Sequence, residues 1–543
     1  MLHPHLVNEV IMRATLGVFL LTLGCSDKAS ETTDVEDSGD TVEDTGAPEV
    51  GCTAEDDRFE ALSAAIEAER QALGATAMSV AVVVDGELVW CGGFGQRHPG
   101  DGGTVDGQTY FRMGSVNKMM TATALLQQVE AGAVALDELV IDTLPDFTMA
   151  ADPRYLDITG QDLLTHQGAF YDYLEIDSDH ADEALAGAVE GWFDEGMVLL
   201  APPGQFWNYS NPNWYVAGRM IEVLDGRSYV SYMDEAVFAP LGMDRTGFDA
   251  DEMLADGNYA TSVTLNWTDE GGTRLAGPDS YDNAWARPAG YAWTSAEDLA
   301  RFGQFLLDGD SAVLSDALRA EMMAPQVSLD IIDSQSYGYG LFVDEGFTVS
   351  SGDWVPDTLL SHGGDISGFA ADLYLLPEHD FAIAILAAGD GAHLSTAVMQ
   401  AVETFVTLSE PVEAPDLTID PKTFTDFAGS YTEPWNITGD FSLSVEDGVL
   451  VSDFPVLDKH KIPYERELVA VAPDNFRYVV QGYPFLMTFI RDDAGEVAYA
   501  RTRLFVGTAT EDQSAQQRRA FSPDRLEAAL RSAGPSPRSG LRR

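Results

Sequence analysis

Residues 111–120 read FRMGSVNKMM and place a serine and a lysine three positions apart at the start of a helix-forming run. Residues three apart on a helix are neighbours, so the Ser115 hydroxyl and the Lys118 amine are expected within mutual reach. The positive end of the helix dipole, together with desolvation, favours the neutral amine. A neutral amine is a usable base for a serine, which is a poor nucleophile until it loses its proton. A Ser-x-x-Lys pattern is common by chance, so its weight depends on partners elsewhere in the chain.

The first partner segment is WNYSNPNW at residues 207–214. Tyr209 offers a phenol that can transfer protons, and Asn211 offers an amide that can donate to a substrate carbonyl. Proximity to a charged lysine is expected to ease ionisation of the phenol. Taken alone, the segment is more typical of a polar loop before a helix, in which Tyr209 simply packs.

The second partner segment is LSHGGDISGF at residues 360–369, which leads into an apolar strand. His362 is followed by two glycines, which allow a substrate to approach the strand backbone closely. The backbone around Gly364, together with the Ser115 N–H, is expected to form an oxyanion hole. The few histidines of the chain form no metal-ligand spacing, so no metal site is predicted.

In this order and spacing, the three segments resemble the penicillin-recognising serine hydrolases, in the branch that holds class C β-lactamases, D-alanyl-D-alanine carboxypeptidases and related esterases. The similarity runs from about residue 79 to 406 and includes LLTHQGAF at residues 163–170, where His166 is expected to be structural. It implies an acyl-enzyme mechanism that needs no cofactor. The catalytic residues that the resemblance implies are Ser115, Lys118, Tyr209 and His362, and the substrate-binding residues are Asn211 and Gly364.

His362 stands where β-lactamases usually have the lysine of Lys-Thr-Gly. A mostly neutral histidine holds a substrate carboxylate less well than a charged lysine, so the site is expected to lack a fixed positive charge. We therefore predict an esterase or a D-Ala-type peptidase, acting on a small-molecule ester, amide or peptide, rather than an efficient β-lactamase. The alternative is a non-catalytic protein of the same fold that binds cell-wall peptides or presents its second domain to a partner.

Strand patterns at both ends of this region and helical stretches between them predict an α/β (α+β) fold. An antiparallel sheet flanked by helices, with an all-helical subdomain, is the β-lactamase/transpeptidase-like arrangement that the resemblance implies. Short alternating strands after the proline-rich segment predict a C-terminal antiparallel β-barrel, which resembles a lipocalin-like domain. The predicted segments are a signal peptide (1–25), an acidic disordered linker (26–52), the hydrolase domain (53–409), a linker (410–424), the β domain (425–510) and a disordered tail (511–543).

The N-terminus indicates export. Residues 12–25 read MRATLGVFLLTLGC, a short apolar run typical of a secretory signal. The end of the run resembles a lipoprotein cleavage box, which makes Cys25 a candidate lipidation site. The mature protein is expected to be periplasmic, anchored to the outer membrane or secreted. In such a compartment Cys52 and Cys91 either pair in a disulfide or remain buried thiols.

The charge balance restricts the partners. The 543 residues include 89 acidic and 30 basic side chains, for a net charge of −59. A surface this negative repels nucleic-acid phosphates and anionic membranes. We therefore expect no nucleic-acid partner, and membrane contact only through a lipid anchor at the N-terminus.

Overall fold

The computed structural model describes most of the chain after the acidic segment. The described residues are 52, 56–100, 102–172, 181, 183–191, 197–265, 273–278, 282–509 and 520–533. The predicted signal peptide with Cys25, and all of the predicted acidic linker except Cys52, lie outside these ranges. Within them, no helix combines the length and apolar character that crossing a membrane requires.

The first part of the chain forms an α/β unit. Its strands are β1 (Ala77–Val84), β2 (Glu87–Gly95), β3 (Phe111–Arg112), β4 (Ser262–Leu265), β5 (Thr273–Ala276), β6 (Trp293–Thr294), β7 (Val327–Ser328), β8 (Gln335–Tyr337), β9 (Phe342–Thr348), β10 (Trp354–Ile366), β11 (Phe369–Leu376) and β12 (Phe381–Ala388). Its α-helices are α1 (Asp57–Leu73), α2 (Asn117–Glu130), α3 (Val140–Thr143), α4 (Gly160–Leu164), α5 (Ala184–Gly191), α6 (Pro212–Asp225), α7 (Tyr229–Met233), α8 (Ala250–Asp256), α9 (Ala296–Asp308), α10 (Asp316–Met323) and α11 (Thr396–Phe405). A 3₁₀ turn, Gly114–Val116, precedes α2.

One antiparallel sheet joins the two ends of this unit. Its strand order is β2-β1-β12-β11-β10-β9-β8-β7, and Ala77 of β1 lies opposite Ala388 of β12. The turn between β1 and β2 is formed by Asp85 and Gly86, with φ of 51° and 75°. Two positive φ values match the tight hairpin turn that Asp-Gly favours. The prediction that distant apolar segments share a sheet is confirmed.

Both faces of this sheet are covered. In β12, Ile383 and Ile385 belong to a core cluster shared with α1 and α11, whereas Ala382 and Ala384 face a second cluster that includes α9. A strand buried on both faces reads as a continuous apolar run, as FAIAILAA does. Helices therefore flank the sheet on both sides.

The helical subdomain lies on the α9 side of the sheet. Its centre is α2, which is buried along most of its length and packs against α6. Trp214 and Tyr215 of α6 are fully buried in the same core. The segment that carries the Ser-x-x-Lys pattern thus lies between the sheet and the helical subdomain.

The C-terminal part of the chain forms a nearly closed antiparallel barrel. Its strands are β13 (Gly429–Thr432), β14 (Phe441–Glu446), β15 (Val449–Asp453), β16 (Val469–Ala472), β17 (Asn475–Val480), β18 (Tyr483–Arg491), β19 (Val497–Arg501) and β20 (Val506–Ala509), in the sheet order β15-β14-β13-β20-β19-β18-β17-β16. A bridge between Val451 and Glu467 brings the two ends together. The short helix α12 (Pro455–His460) follows β15, and stacked aromatic rings such as Tyr431 and Phe441 fill the interior.

Part of the predicted disordered tail is ordered. Residues Pro523–Ala533 form helix α13, in which Leu526 and Leu530 are fully buried. These two leucines are four positions apart and lie on one face of the helix, an amphipathic pattern that the short arginine-rich segment conceals. The prediction of disorder is wrong for these residues, and the rest of the tail lies outside the described ranges.

The two cysteines that follow the acidic segment are paired. Cys52 and Cys91 form a disulfide that ties the chain before α1 to strand β2. Of the two alternatives left open by the sequence, the structure shows the bridge rather than buried thiols. It closes a loop across a sequence separation of 39 residues.

Candidate active site

Two glycines let strand β10 approach the turn that carries Ser115. Gly114 has a φ of 52°, and a side chain there would place its Cβ 2.9 Å from the backbone nitrogen of Asp365. A Cβ on Gly364 would lie 2.0 Å from the carbonyl oxygen of Met113 and 2.9 Å from the Ser115 nitrogen. Only glycine fits at either position. The Ser115 N–H therefore lies against the Gly364–Asp365 peptide, as the sequence predicted for this strand.

Lys118 is completely buried beside Ser115. Its Nζ lies 2.8 Å from the Ser115 Oγ, 2.7 Å from the Asn211 Oδ1 and 2.6 Å from the carbonyl oxygen of Ala289. Burial lowers the pKa of Lys118 well below its usual range, and the nearby charge of Asp172 only partly opposes this. The predicted serine–amine pair is thus present, with the amine in an environment that favours its neutral form.

Tyr209 is the third member of the cluster. Its side chain is hydrogen-bonded to Ser115, and the Nζ of Lys118 lies 5.2 Å from the centre of its ring. Burial raises the pKa of Tyr209, which outweighs the opposite effects of Arg503 and of the hydrogen bond with Ser115. The expected easier ionisation of this phenol is therefore wrong, because burial outweighs the effect of the neighbouring positive charge.

Both polar atoms of the Asn211 side chain form hydrogen bonds within the protein. Its Oδ1 accepts a hydrogen bond from Lys118, and its Nδ2 donates to the Asp172 Oδ1 at 2.9 Å. The same carboxylate oxygen accepts the backbone N–H of Asn211 at 3.0 Å. At most one amide hydrogen of Asn211 remains for a substrate, so its evident role is to orient Lys118. The substrate contact predicted from the sequence stays a prediction.

The ring of His362 lies 6.3 Å from that of Tyr209, and both of its nitrogens have a polar neighbour. Nδ1 lies 2.6 Å from the carbonyl oxygen of Gly363, and Nε2 lies 3.1 Å from the hydroxyl of Tyr337. Burial lowers the pKa of His362 to about 3, so its imidazole is neutral. The expectation of a neutral group matches the structure. The catalytic role predicted for His362 stays a prediction, and the contacts that the structure shows are those with Gly363 and Tyr337.

His166 is structural, as expected. Its Nδ1 lies 3.0 Å from the backbone nitrogen of Ser210, and its Nε2 lies 3.3 Å from the indole nitrogen of Trp214. Its ring packs against Tyr209 with a centroid distance of 4.3 Å. Burial lowers the pKa of His166 well below its usual range. The residue therefore fixes the loop that carries Tyr209.

Sequence reasoning missed two charged residues that meet at the site. Asp172 follows the segment LLTHQGAF, and Arg503 lies between β19 and β20 of the barrel. The Arg503 Nε donates to the Asp172 Oδ2 at 3.1 Å, and the guanidinium carbon lies 4.5 Å from the centre of the Tyr209 ring. No local pattern signals this contact, because the two residues are 331 positions apart.

A second missed group stabilises the strand beside Ser115. The His393 Nδ1 lies 2.9 Å from the Asp372 Oδ2, and its Nε2 lies 3.1 Å from the Asp365 Oδ2. The two carboxylates raise the pKa of His393 well above its usual range, in spite of its burial. A protonated imidazole between two acids therefore holds the end of β10, where Asp365 follows Gly364.

Comparison with known proteins agrees with this arrangement. The family model described as Beta-lactamase matches residues 62–408. Penicillin-binding protein 4 of Amycolatopsis lactamdurans is 30% identical over 341 residues, which cover 61% of this chain and 84% of the relative.

Two solved structures show how far the fold extends. The octameric penicillin-binding protein homologue from Pyrococcus abyssi has a TM-score of 0.53 at 20% identity and covers 83% of this chain and 100% of that chain. The D-amino acid amidase from Ochrobactrum anthropi SV3 has a TM-score of 0.51 at 21% identity, over 64% of this chain and 98% of that chain. Because the family model spans more than half of the sequence, this chain belongs to the β-lactamase family of serine hydrolases.

Proposed function

We propose that the protein is an exported serine hydrolase that forms an acyl-enzyme at Ser115 on ester or amide substrates. In the first step the Ser115 Oγ attacks the substrate carbonyl carbon while its proton passes to Lys118. The oxyanion that forms is stabilised by backbone N–H groups at Ser115 and at the adjacent strand β10. The carbonyl–leaving-group bond then breaks, the leaving group takes up a proton, and water later releases the acyl group.

The observation that carries this proposal is the hydrogen bonding of Lys118. A neutral amine has two hydrogens and one lone pair. The Asn211 Oδ1 and the Ala289 carbonyl oxygen can only accept, so they take the two hydrogens. The lone pair then remains for the third neighbour, the Ser115 hydroxyl at 2.8 Å. This is the arrangement that a base needs to remove the serine proton.

Tyr209 is proposed to complete the proton path. Its phenol is hydrogen-bonded to Ser115, and burial raises its pKa, so it keeps its proton at neutral pH. A protonated phenol at this position can give its proton to the leaving group and recover one from Lys118. Asn211 and Asp172 keep Lys118 oriented throughout these steps.

For substrates, we propose peptides and amides of D-amino acids, and simple esters, ahead of β-lactams. The fold is shared with a protein named D-amino acid amidase, which was solved with L-phenylalanine amide. The relative that is 30% identical to this chain is named a penicillin-binding protein. His362 is neutral where β-lactamases usually have a lysine, so strand β10 does not supply the charge that helps to hold a β-lactam carboxylate.

Export is part of the proposal. The Cys52–Cys91 disulfide supports an oxidising compartment, because such bridges are rare in the reducing cytosol. The apolar run at residues 12–25 supports the same assignment, with Cys25 as the candidate lipid anchor. Mass spectrometry of the mature protein from membrane and soluble fractions tests both points, since cleavage before Cys25 and an added lipid mass are expected together.

A fluorophosphonate probe tests the nucleophile. The wild-type protein is expected to be labelled, and Ser115→Ala is expected to abolish both labelling and hydrolysis of a p-nitrophenyl ester. Ser210→Ala is a matched control, because the Ser210 hydroxyl is buried without a hydrogen-bond partner among the described residues. Equal labelling of wild type and Ser115→Ala, or no labelling of either, contradicts the proposal.

A small substrate panel tests the preference. It contains a short-chain aryl ester, a D-Ala-D-Ala peptide, a D-amino-acid amide and nitrocefin. At least one of the first three is expected to have a higher kcat/KM than nitrocefin. Nitrocefin turnover that exceeds all three would contradict the substrate assignment while leaving the Ser115 mechanism in place.

A further inference from the structure

The barrel contributes a cation to the catalytic cluster. Arg503 reaches over the Tyr209 ring and donates its Nε–H to Asp172. Its charge lowers the pKa of Lys118, Tyr209 and His362, which shows that the guanidinium lies among the groups around Ser115. The expectation that this site lacks a fixed positive charge, which was based on His362, is therefore wrong.

Only part of the Arg503 guanidinium is used by the protein. Asp172 takes the Nε–H, and the two terminal amino groups donate to no residue in the described part of the chain. The Arg503 side chain is 38% exposed, whereas the Asp172 side chain is 0% exposed. An arginine presents its donors in a rigid planar fork that matches a carboxylate. The Nε–H of the guanidinium is thus bound to Asp172, and its terminal amino groups remain available for a ligand.

Hydrogen bonds between the barrel and the rest of the protein hold Arg503 in position. Two residues before it, the buried Arg501 donates to the carbonyl oxygens of Trp207 and of Leu329, the latter at 2.6 Å. In the connection between β13 and β14, the Trp435 Nε1 donates to the carbonyl oxygen of Val198 at 2.9 Å. These contacts join the barrel to the Tyr209 loop itself at Trp207, and to other segments at Val198 and Leu329. A cation held on such a docked domain loses little entropy when it binds an anion.

The charges around Arg503 limit what it can bind. Asp172 is engaged with Asn211 and with the Arg503 Nε, and the Asp365 carboxylate accepts from His393. The partly exposed Arg503 guanidinium can only donate hydrogen bonds, and neither of these carboxylates accepts from its terminal amino groups. A carboxylate complements it in charge and in shape, whereas an ammonium would be repelled.

We propose that Arg503 is a specificity residue of the active site and binds a carboxylate of the substrate, taking the place of the lysine that position 362 lacks. The inference rests on the proposed Ser115 hydrolase function and extends it by naming the substrate class. Peptides with a free C-terminal carboxylate are favoured over the same peptides with a C-terminal amide. The second domain is thus part of the substrate site.

The test compares matched substrates on matched variants. Wild type, Arg503→Gln, Arg503→Lys and the control Arg466→Gln are assayed with a D-Ala-D-Ala peptide acid, its C-terminal amide and a neutral aryl ester. Arg466 is an exposed barrel arginine paired with Asp453, so its loss leaves the site intact. Loss of a charge-assisted hydrogen bond is expected to lower kcat/KM for the acid by about 10- to 100-fold in Arg503→Gln, mainly through KM. Arg503→Lys is expected to recover part of the loss.

The outcomes separate the two proposals. If the neutral ester keeps its kcat/KM within about 3-fold while the preference for the acid disappears, Arg503 binds the carboxylate. If Arg503→Gln lowers kcat/KM equally for all three substrates, Arg503 acts only through Asp172. The inference is then wrong, although the hydrolase function stands. If wild type shows no turnover of any substrate that depends on Ser115, the hydrolase function itself is wrong.

Discussion

The Nζ of Lys118 lies 2.8 Å from the Oγ of Ser115, in a pocket where the lysine side chain has no contact with solvent. Desolvation disfavours the ammonium ion, so the pKa of Lys118 lies well below its usual range. The free amine is then present at pH values where an exposed lysine carries a proton. Ser115 therefore has an amine beside it whose environment favours the neutral form.

This pair predicts the pH profile of acylation. Because the active form of Lys118 is deprotonated, kcat/KM for an uncharged ester should fall as the pH decreases through the lowered pKa of Lys118. This fall should occur well below the pH at which an exposed lysine titrates. An exposed lysine has a pKa of about 10.4. If kcat/KM keeps rising with unit slope up to about pH 10, Lys118 carries a proton over that range and its pKa is not lowered. Lys118→Met, which keeps the buried chain and removes the amine, should lower kcat/KM by about 10²–10⁴-fold.

Tyr209→Phe isolates the phenol hydroxyl. The ring remains to pack against His166 and beneath Arg503, so the fold should be kept, while the proton path to the leaving group is lost. We expect kcat/KM to fall by about 10²-fold or more with little change in Tm. Tyr478→Phe is the matched control, since the Tyr478 hydroxyl is buried in the barrel without a partner among the described residues. Similar activity losses in both variants would contradict a specific role for Tyr209.

The sequence predicts what depends on local spacing. Ser115 and Lys118 are three positions apart, so their contact follows from helix geometry. The β1–β2 hairpin follows equally from Asp85-Gly86. The placement of Tyr209 and of the Gly364 backbone came from the resemblance to a family rather than from any local rule.

Other features depend on contacts that no local pattern records. The ring of His362 is neutral as expected, but its contact with Tyr337 joins β10 to β8 across the intervening strand β9. Arg503 and Asp172 meet across 331 positions, and only the docking of the barrel brings them together. A surface arginine in a strand connection looks the same in the sequence whether it faces water or an active site.

His362 should make the protein sensitive to acid. Its folded pKa is lowered to about 3, whereas in the unfolded chain it is expected near 6.5. Between these values the unfolded state binds a proton that the folded state does not, so stability falls as the pH decreases below about 6.5. His362→Gln can still accept from Tyr337, and it removes this titration. The stability difference between pH 7 and pH 5 should shrink by about 2 kcal/mol in denaturant titrations. Equal pH dependence in wild type and variant would contradict the buried, neutral assignment.

Opposite charges at Asp172 and Arg503 predict opposite shifts of the pH profile. Asp172 raises the pKa of Lys118, and Arg503 lowers it. Asp172→Asn removes the negative charge, so the acid limb of kcat/KM for a neutral ester should move to lower pH. Arg503→Gln removes the positive charge, so the same limb should move to higher pH. A purely structural disturbance of the loop would lower the plateau without moving the two limbs in opposite directions. Shifts of the same sign in both variants would show that the acid limb does not report Lys118.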